Sequence, residues 1–153
     1  MMDFHCEIKE QAAQPTLSIR KRTPIDGLPQ LLGESYGKIA GYLAELGTQP
    51  DGAPFAAYYN MDMQDLDVEI GFPVTEPVPS KGDIQASQIP GGKLAIALHT
   101  GPYGEIGPAY DALTQFAKEQ GCEPTGVSYE FYLNDPQETS PQDLKTQIIF
   151  PLK

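Results

Sequence analysis

Ser128-Tyr-Glu-Phe-Tyr-Leu-Asn-Asp-Pro136 sets one carboxylate in an otherwise aromatic strand, and the chain holds a second copy of that strand without the acid. The copy is Pro54-Phe-Ala-Ala-Tyr-Tyr-Asn60, with Ala56 where the later segment has Glu130. A repeat that keeps its hydrophobic frame and acquires a carboxylate has been specialised at that point. Glu130 is therefore the first candidate functional residue.

The repeat extends outward from this strand. Gly47-Thr-Gln-Pro-Asp-Gly52 matches Gly121-Cys-Glu-Pro-Thr-Gly126 at an offset of 74 residues. Leu32, Tyr36, Ile39 and Leu43 fall on Ile106, Tyr110, Leu113 and Ala117 at the same offset. Leu66-Asp-Val-Glu-Ile-Gly-Phe-Pro-Val74 matches Leu144-Lys-Thr-Gln-Ile-Ile-Phe-Pro-Leu152 at 78, and Leu17-Ser-Ile19 with Thr23 matches Leu94-Ala-Ile96 with Thr100 at 77. The offset changes only in turns, where insertions are cheapest. Two copies of so long a period imply an internal duplication with pseudo-twofold symmetry. The pseudo-repeats run over about 4–74 and 83–152, joined by a Pro-containing linker at 75–82, within a single domain.

Periodicity assigns the elements. Phe4 to Gln11 and Thr16 to Thr23 read as strands, the second alternating Leu17, Ile19 and Lys21 with Ser18, Arg20 and Arg22. Arg20-Lys21-Arg22 reads as a solvated strand end that discourages edge pairing. Pro29 to Leu46 carries a helical stripe of Leu32, Tyr36, Ile39, Leu43 and Leu46, closed by Gly47. Gly33, Gly37 and Gly41 at intervals of four point to close approach of a sheet or helix. Ala53 to Asn60 and Leu66 to Val74 follow as strands. In the second half, Asp83 to Ile89 and Lys93 to Thr100 are predicted to form a hairpin around Pro90-Gly-Gly92. A helix over Ile106 to Gln120 and strands over Val127 to Leu133 and Leu144 to Leu152 complete the set. Each half is thus strand-strand-helix-strand-strand, giving an α+β fold of about eight mostly antiparallel strands and two helices.

At 153 residues the chain suits one compact domain, a size that buries roughly 70% of the unfolded surface. Its formal charge of −11 argues against nucleic-acid binding, which rests on Lys and Arg neutralising phosphates, and mildly favours cationic small molecules. Cys6 and Cys122 belong to no Cys-x-x-Cys pair, and neither they nor His5 and His99 have metal-ligand spacing, so no metal or other cofactor is expected. Both histidines read as surface residues. The acids Asp62, Asp65, Asp67 and Glu69 read as scattered surface charge. Signal-peptide and membrane-span patterns are absent, and a cytoplasmic protein is expected.

Strand alternation puts Ser128, Glu130 and Tyr132 on one face, and Ala56 and Tyr58 on the equivalent face of the copy. With the symmetry axis between the halves, Tyr58 and Tyr132 would flank one cleft with Glu130 between them. A carboxylate among aromatic rings is poorly solvated, which raises its pKa and suits it to bind a cation or donate a proton. Rings around it add cation–π attraction of about 0.5–2 kcal/mol each. Thr100-Gly-Pro-Tyr-Gly-Glu105 is a strand-to-helix turn with Tyr103 at its tip, and no Walker-type lysine follows.

His99-Thr-Gly-Pro-Tyr-Gly104 before an amphipathic helix, Tyr129-Glu-Phe-Tyr-Leu-Asn-Asp-Pro136, and the strand Leu144 to Leu152 together resemble the GyrI-like small-molecule-binding domain. This is the effector-binding half of some MerR-type and AraC-type multidrug regulators. The resemblance covers essentially the whole chain. It implies a duplicated β-α-β-β core and a cleft between the halves in which Glu130 faces aromatic walls and accepts hydrophobic, often cationic compounds. Glu130, Tyr132, Tyr58, Tyr103, Tyr110 and Tyr36 are the candidate ligand-binding residues. The DNA-binding helix-turn-helix of the regulators has no counterpart in the dozen residues before the second strand. The alternative that the resemblance implies is hydrolysis of cyclopropane-bearing genotoxins, in which Glu130 would be the general base and Tyr132 or Tyr103 would bond the charged oxygen. A third implication of the resemblance is a protein partner, gyrase or a regulator. A tryptophan often found on the second helix is replaced here by Phe116.

Overall fold

The structure, a computed structural model, describes residues 6–60, 62–134 and 138–153. The chain divides into two compact units, one of residues 13–90 and one of residues 91–153 together with the chain up to residue 12. Among the described residues there are eight strands, paired antiparallel within each unit, and two α-helices, the expected α+β class.

In the first unit β2 (Gln14–Thr23), α1 (Leu28–Glu45), β3 (Phe55–Tyr58), β4 (Leu66–Pro73) and β5 (Gln85–Ile89) build a sheet in the order β5-β2-β4-β3. In the second unit β1 (Glu7–Gln11), β6 (Gly92–Thr100), α2 (Gly107–Glu119), β7 (Ser128–Tyr132) and β8 (Lys145–Pro151) build the order β1-β6-β8-β7. The two units share the same spatial strand order, but the edge strand comes last along the chain in the first unit and first in the second. Both helices end alike: Gly47 and Gly121 each sit at φ +72, where a Cβ would be strained. At these ends Thr48 N–H donates to the Leu43 carbonyl and Cys122 N–H to that of Ala117, closing each last turn.

One face of each sheet packs on its helix. Leu17 and Ile19 meet Ile39, Tyr42 and Leu43 in the first unit, and Ala95, Ala97, Ile148 and Phe150 meet Ala109, Leu113 and Ala117 in the second.

Three expectations are corrected. The hairpin of Asp83–Ile89 with Lys93–Thr100 does not form: β5 pairs with β2 and β6 pairs with β1. The chain passes from one compact unit to the other between Pro90 and Gly91, so β5 and β6 find their partners in different units. The match of Leu17 and Ile19 to Leu94 and Ile96 is one residue out of register. Phe72 pairs with Leu17 and its counterpart Phe150 with Ala95, so the true equivalents of Leu17 and Ile19 are Ala95 and Ala97. A slip of one residue moves every side chain to the other face. Leu94, Ala95, Ile96 and Ala97 are all buried, so their pattern could not report the face. Finally, Gly33, Gly37 and Gly41 are exposed, and a Cβ at each meets nothing within 4 Å, so packing within the chain does not require them. Gly71 is the glycine that does matter: a Cβ there would lie 2.1 Å from the Leu17 carbonyl oxygen.

Candidate functional site

Glu130 stands on β7 opposite Ile148 of β8, on the face that packs against α2. Tyr110 reaches it from α2. The Tyr110 hydroxyl donates to Glu130 Oε2, and the Tyr132 hydroxyl donates to Oε1 at 3.1 Å. Tyr103, in the turn after β6, packs edge-on against Tyr132 with ring centroids 5.5 Å apart. Four predicted residues thus meet, all from the second unit and all only partly buried. Phe116 packs beside this core, as does the Tyr110 ring, 5.7 Å from Phe150.

Burial pushes the Glu130 pKa up from its ordinary value, and the two tyrosine hydroxyls and the nearby His99 only partly offset it. Both carboxylate oxygens are held by hydroxyl donors, while the surroundings remain aromatic. Such a group gains most from a cation whose own hydration is weak.

Tyr36 and Tyr58 belong to the first unit. The Tyr36 hydroxyl donates to the Phe55 carbonyl at 2.9 Å, and its ring lies 5.3 Å from Phe72, so α1 uses this tyrosine to hold β3 and β4. Tyr58 is opposite Val68, as its counterpart Tyr132 is opposite Thr146.

Two residues read as surface are buried. His99 is 2% exposed. Its Nε2 donates to the Pro102 carbonyl at 3.0 Å, and Gly101, at φ +136, turns the chain back over the ring. The polar-looking spacing of β6 hid this, since the covering comes from the turn that follows. His5 lies outside the described residues. Glu69, expected among scattered surface acids, is 7% exposed and accepts hydroxyl hydrogens from Tyr59 and Ser18. Its alternation with Val68 and Ile70 placed it on the sheet face away from α1, but only the packing of that face makes it interior. No group of three or more His, Cys, Asp or Glu among the described residues could hold a metal, and none of their helices is long and apolar enough to cross a membrane.

The sequence profile of the GyrI-like small-molecule-binding domain matches residues 4–153. No curated protein sequence matches the chain. The fold is similar to that of the C-terminal domain of EcmrR, with TM-score 0.79 and 21% identity over 99% of both chains. It is also similar to EcmrR in its DNA complex, with TM-score 0.83 and 22% identity over 98% of this chain; there the chain spans only 57% of EcmrR. A hydrolase from Listeria innocua has TM-score 0.70 and 16% identity over 97% of this chain and 91% of its own. SAV2435 bound to tetraphenylphosphonium has TM-score 0.67 and 11% identity over 99% of this chain and 94% of its own.

Proposed function

Because the chain belongs to the GyrI-like small-molecule-binding domain family, we propose that it binds hydrophobic organic cations at Glu130, against the rings of Tyr103, Tyr110 and Tyr132. The observation that carries this reading is a carboxylate desolvated among tyrosines, with both oxygens held by hydroxyl donors. A cation with delocalised or shielded charge loses little hydration on entering such a site and gains both the carboxylate charge and the ring faces. The neighbour SAV2435 holds a ligand of that kind, tetraphenylphosphonium. Tyr58 and Tyr36 remain candidate contacts, Tyr36 with its hydroxyl already committed to Phe55.

Titration calorimetry with tetraphenylphosphonium tests the proposal. Glu130→Gln keeps the shape and one acceptor but removes the charge, and it should weaken binding by about tenfold or more, roughly 1.5–3 kcal/mol. Equal affinity for wild type and variant would remove the carboxylate from the site.

A second reading uses the same residues for turnover and is supported by the raised Glu130 pKa and the likeness to a hydrolase. Glu130 would take a proton from water as the water oxygen bonds a ring carbon of a carbonyl-conjugated cyclopropane. The ring C–C bond breaks, its electron pair passes to the carbonyl oxygen beside a tyrosine hydroxyl, Tyr132 or Tyr103, and the proton on Glu130 then returns to the product. Mass spectrometry after incubation with a cyclopropanoid should then show a product heavier by one water. Unchanged substrate at high protein concentration rejects this reading for the compound used.

A further inference from the structure

We propose that His99 and Thr146 form a hydrogen-bonding subsite next to Glu130 that takes an O–H or N–H donor on the ligand. The inference rests on the cation-binding reading of Glu130 and extends it to a specificity. Tyr132, Thr146 and His99 stand opposite one another across β7, β8 and β6, on the face that carries Glu130. Tyr132 bonds the Glu130 carboxylate directly, and His99 is close enough to act on that carboxylate electrostatically. Thr146 is fully buried and His99 nearly so, yet Thr146 Oγ1 and His99 Nδ1 have no hydrogen-bond partner.

The tautomer follows from geometry. A carbonyl only accepts, so the 3.0 Å contact with Pro102 puts the proton on His99 Nε2. In the neutral ring Nδ1 is then an acceptor, and the Thr146 hydroxyl beside it can accept or donate. Buried polar atoms are nearly always paired, because leaving them unpaired forfeits their hydration. The fold does not need this pair. The same row of the first unit is Tyr58, Val68 and Lys21, with a fully buried valine in the place of Thr146. Threonine and valine have the same shape, so the hydroxyl is an addition made in one unit only. The ligand class it selects is a hydrophobic cation carrying a hydroxyl or N–H near its charge.

Two probes separate this from plain cation binding: a naphthylmethyl trimethylammonium ion, and its counterpart with one methyl replaced by hydroxyethyl. Wild type should bind the hydroxyethyl probe roughly five- to tenfold tighter, the value of one well-made hydrogen bond. Thr146→Val removes the hydroxyl, and His99→Leu removes the Nδ1 acceptor together with the bond to Pro102. Each should abolish the preference, and Thr146→Val should leave affinity for the trimethyl probe within about twofold, well below one hydrogen bond. Ligand-free Thr146→Val should melt no lower than wild type. Equal binding of both probes by wild type overturns the subsite alone, as does a preference that survives in both variants or a lower melting temperature for Thr146→Val. Failure of wild type to bind either probe instead overturns the cation site on which the subsite rests.

Discussion

Each unit buries a glutamate beneath two hydroxyl donors, and the two sites resolve the same electrostatic problem differently. Glu69 in the first unit accepts from Tyr59 and Ser18, and the Arg20 guanidinium lies 3.8 Å from the centre of the Tyr59 ring. Arg20 is in turn anchored by two hydrogen bonds to Asp67, which with burial opposing holds the Asp67 carboxyl below its usual range. This unit therefore supplies its own cation to its own tyrosine and carboxylates. Glu130 in the second unit accepts from Tyr110 and Tyr132, and burial raises its pKa. An internal cation suits Glu69 to a structural role, whereas the cation proposed for Glu130 would come from outside the chain.

The same substitution should therefore act with opposite sign. Glu69→Gln, which weakens the two charge-assisted hydrogen bonds from Tyr59 and Ser18, should destabilise by about 1–3 kcal/mol in urea unfolding. A neutral result would mean that Arg20 and Asp67 form a self-sufficient pair and that the contrast is false.

Glu130→Gln should leave the ligand-free protein as stable or up to about 1 kcal/mol more stable at neutral pH, by relief of an uncompensated buried charge. The folded-state pKa is raised, so the native state keeps a proton that the unfolded chain has already lost. Wild-type stability then falls as pH rises from the ordinary glutamate range through the raised value, and the full penalty is present above it. The advantage of Glu130→Gln should be greatest at neutral pH and vanish as pH falls to about 4, near the ordinary glutamate pKa. Affinity for tetraphenylphosphonium should move the other way in wild type, strengthening as pH rises through the same interval. A loss of more than about 2 kcal/mol in Glu130→Gln would make Glu130 a structural contact like Glu69.

The smallest effect belongs to Arg20→Met, since that side chain is 53% exposed. Its removal should cost below about 1 kcal/mol, as surface ion pairs do. A cost equal to that of Glu69→Gln would instead place the guanidinium at the centre of the site.

The equivalence of Ala56 with Glu130 and of Tyr58 with Tyr132 was legible in the sequence, because each pair keeps its partner on the adjacent strand: Ile70 and Ile148, Val68 and Thr146. Tyr110 was legible from the helix repeat. The roles of Tyr36 and Tyr110 were not separable that way, although they are equivalent positions. One donates to a backbone carbonyl and the other to a carboxylate, and only the strand beneath each helix decides which acceptor lies in reach.

By itself the sequence determined the duplication, the helix-ending glycines and the side of β7 that carries Glu130, because these depend on local dihedrals and on a period of two along a strand. Tertiary structure decided which strands pair across Pro90, which face of the fully buried β6 meets α2, and the burial of His99 and Glu69. Those depend on what covers a residue from elsewhere in the chain, and a side chain's own neighbours in sequence carry no record of it.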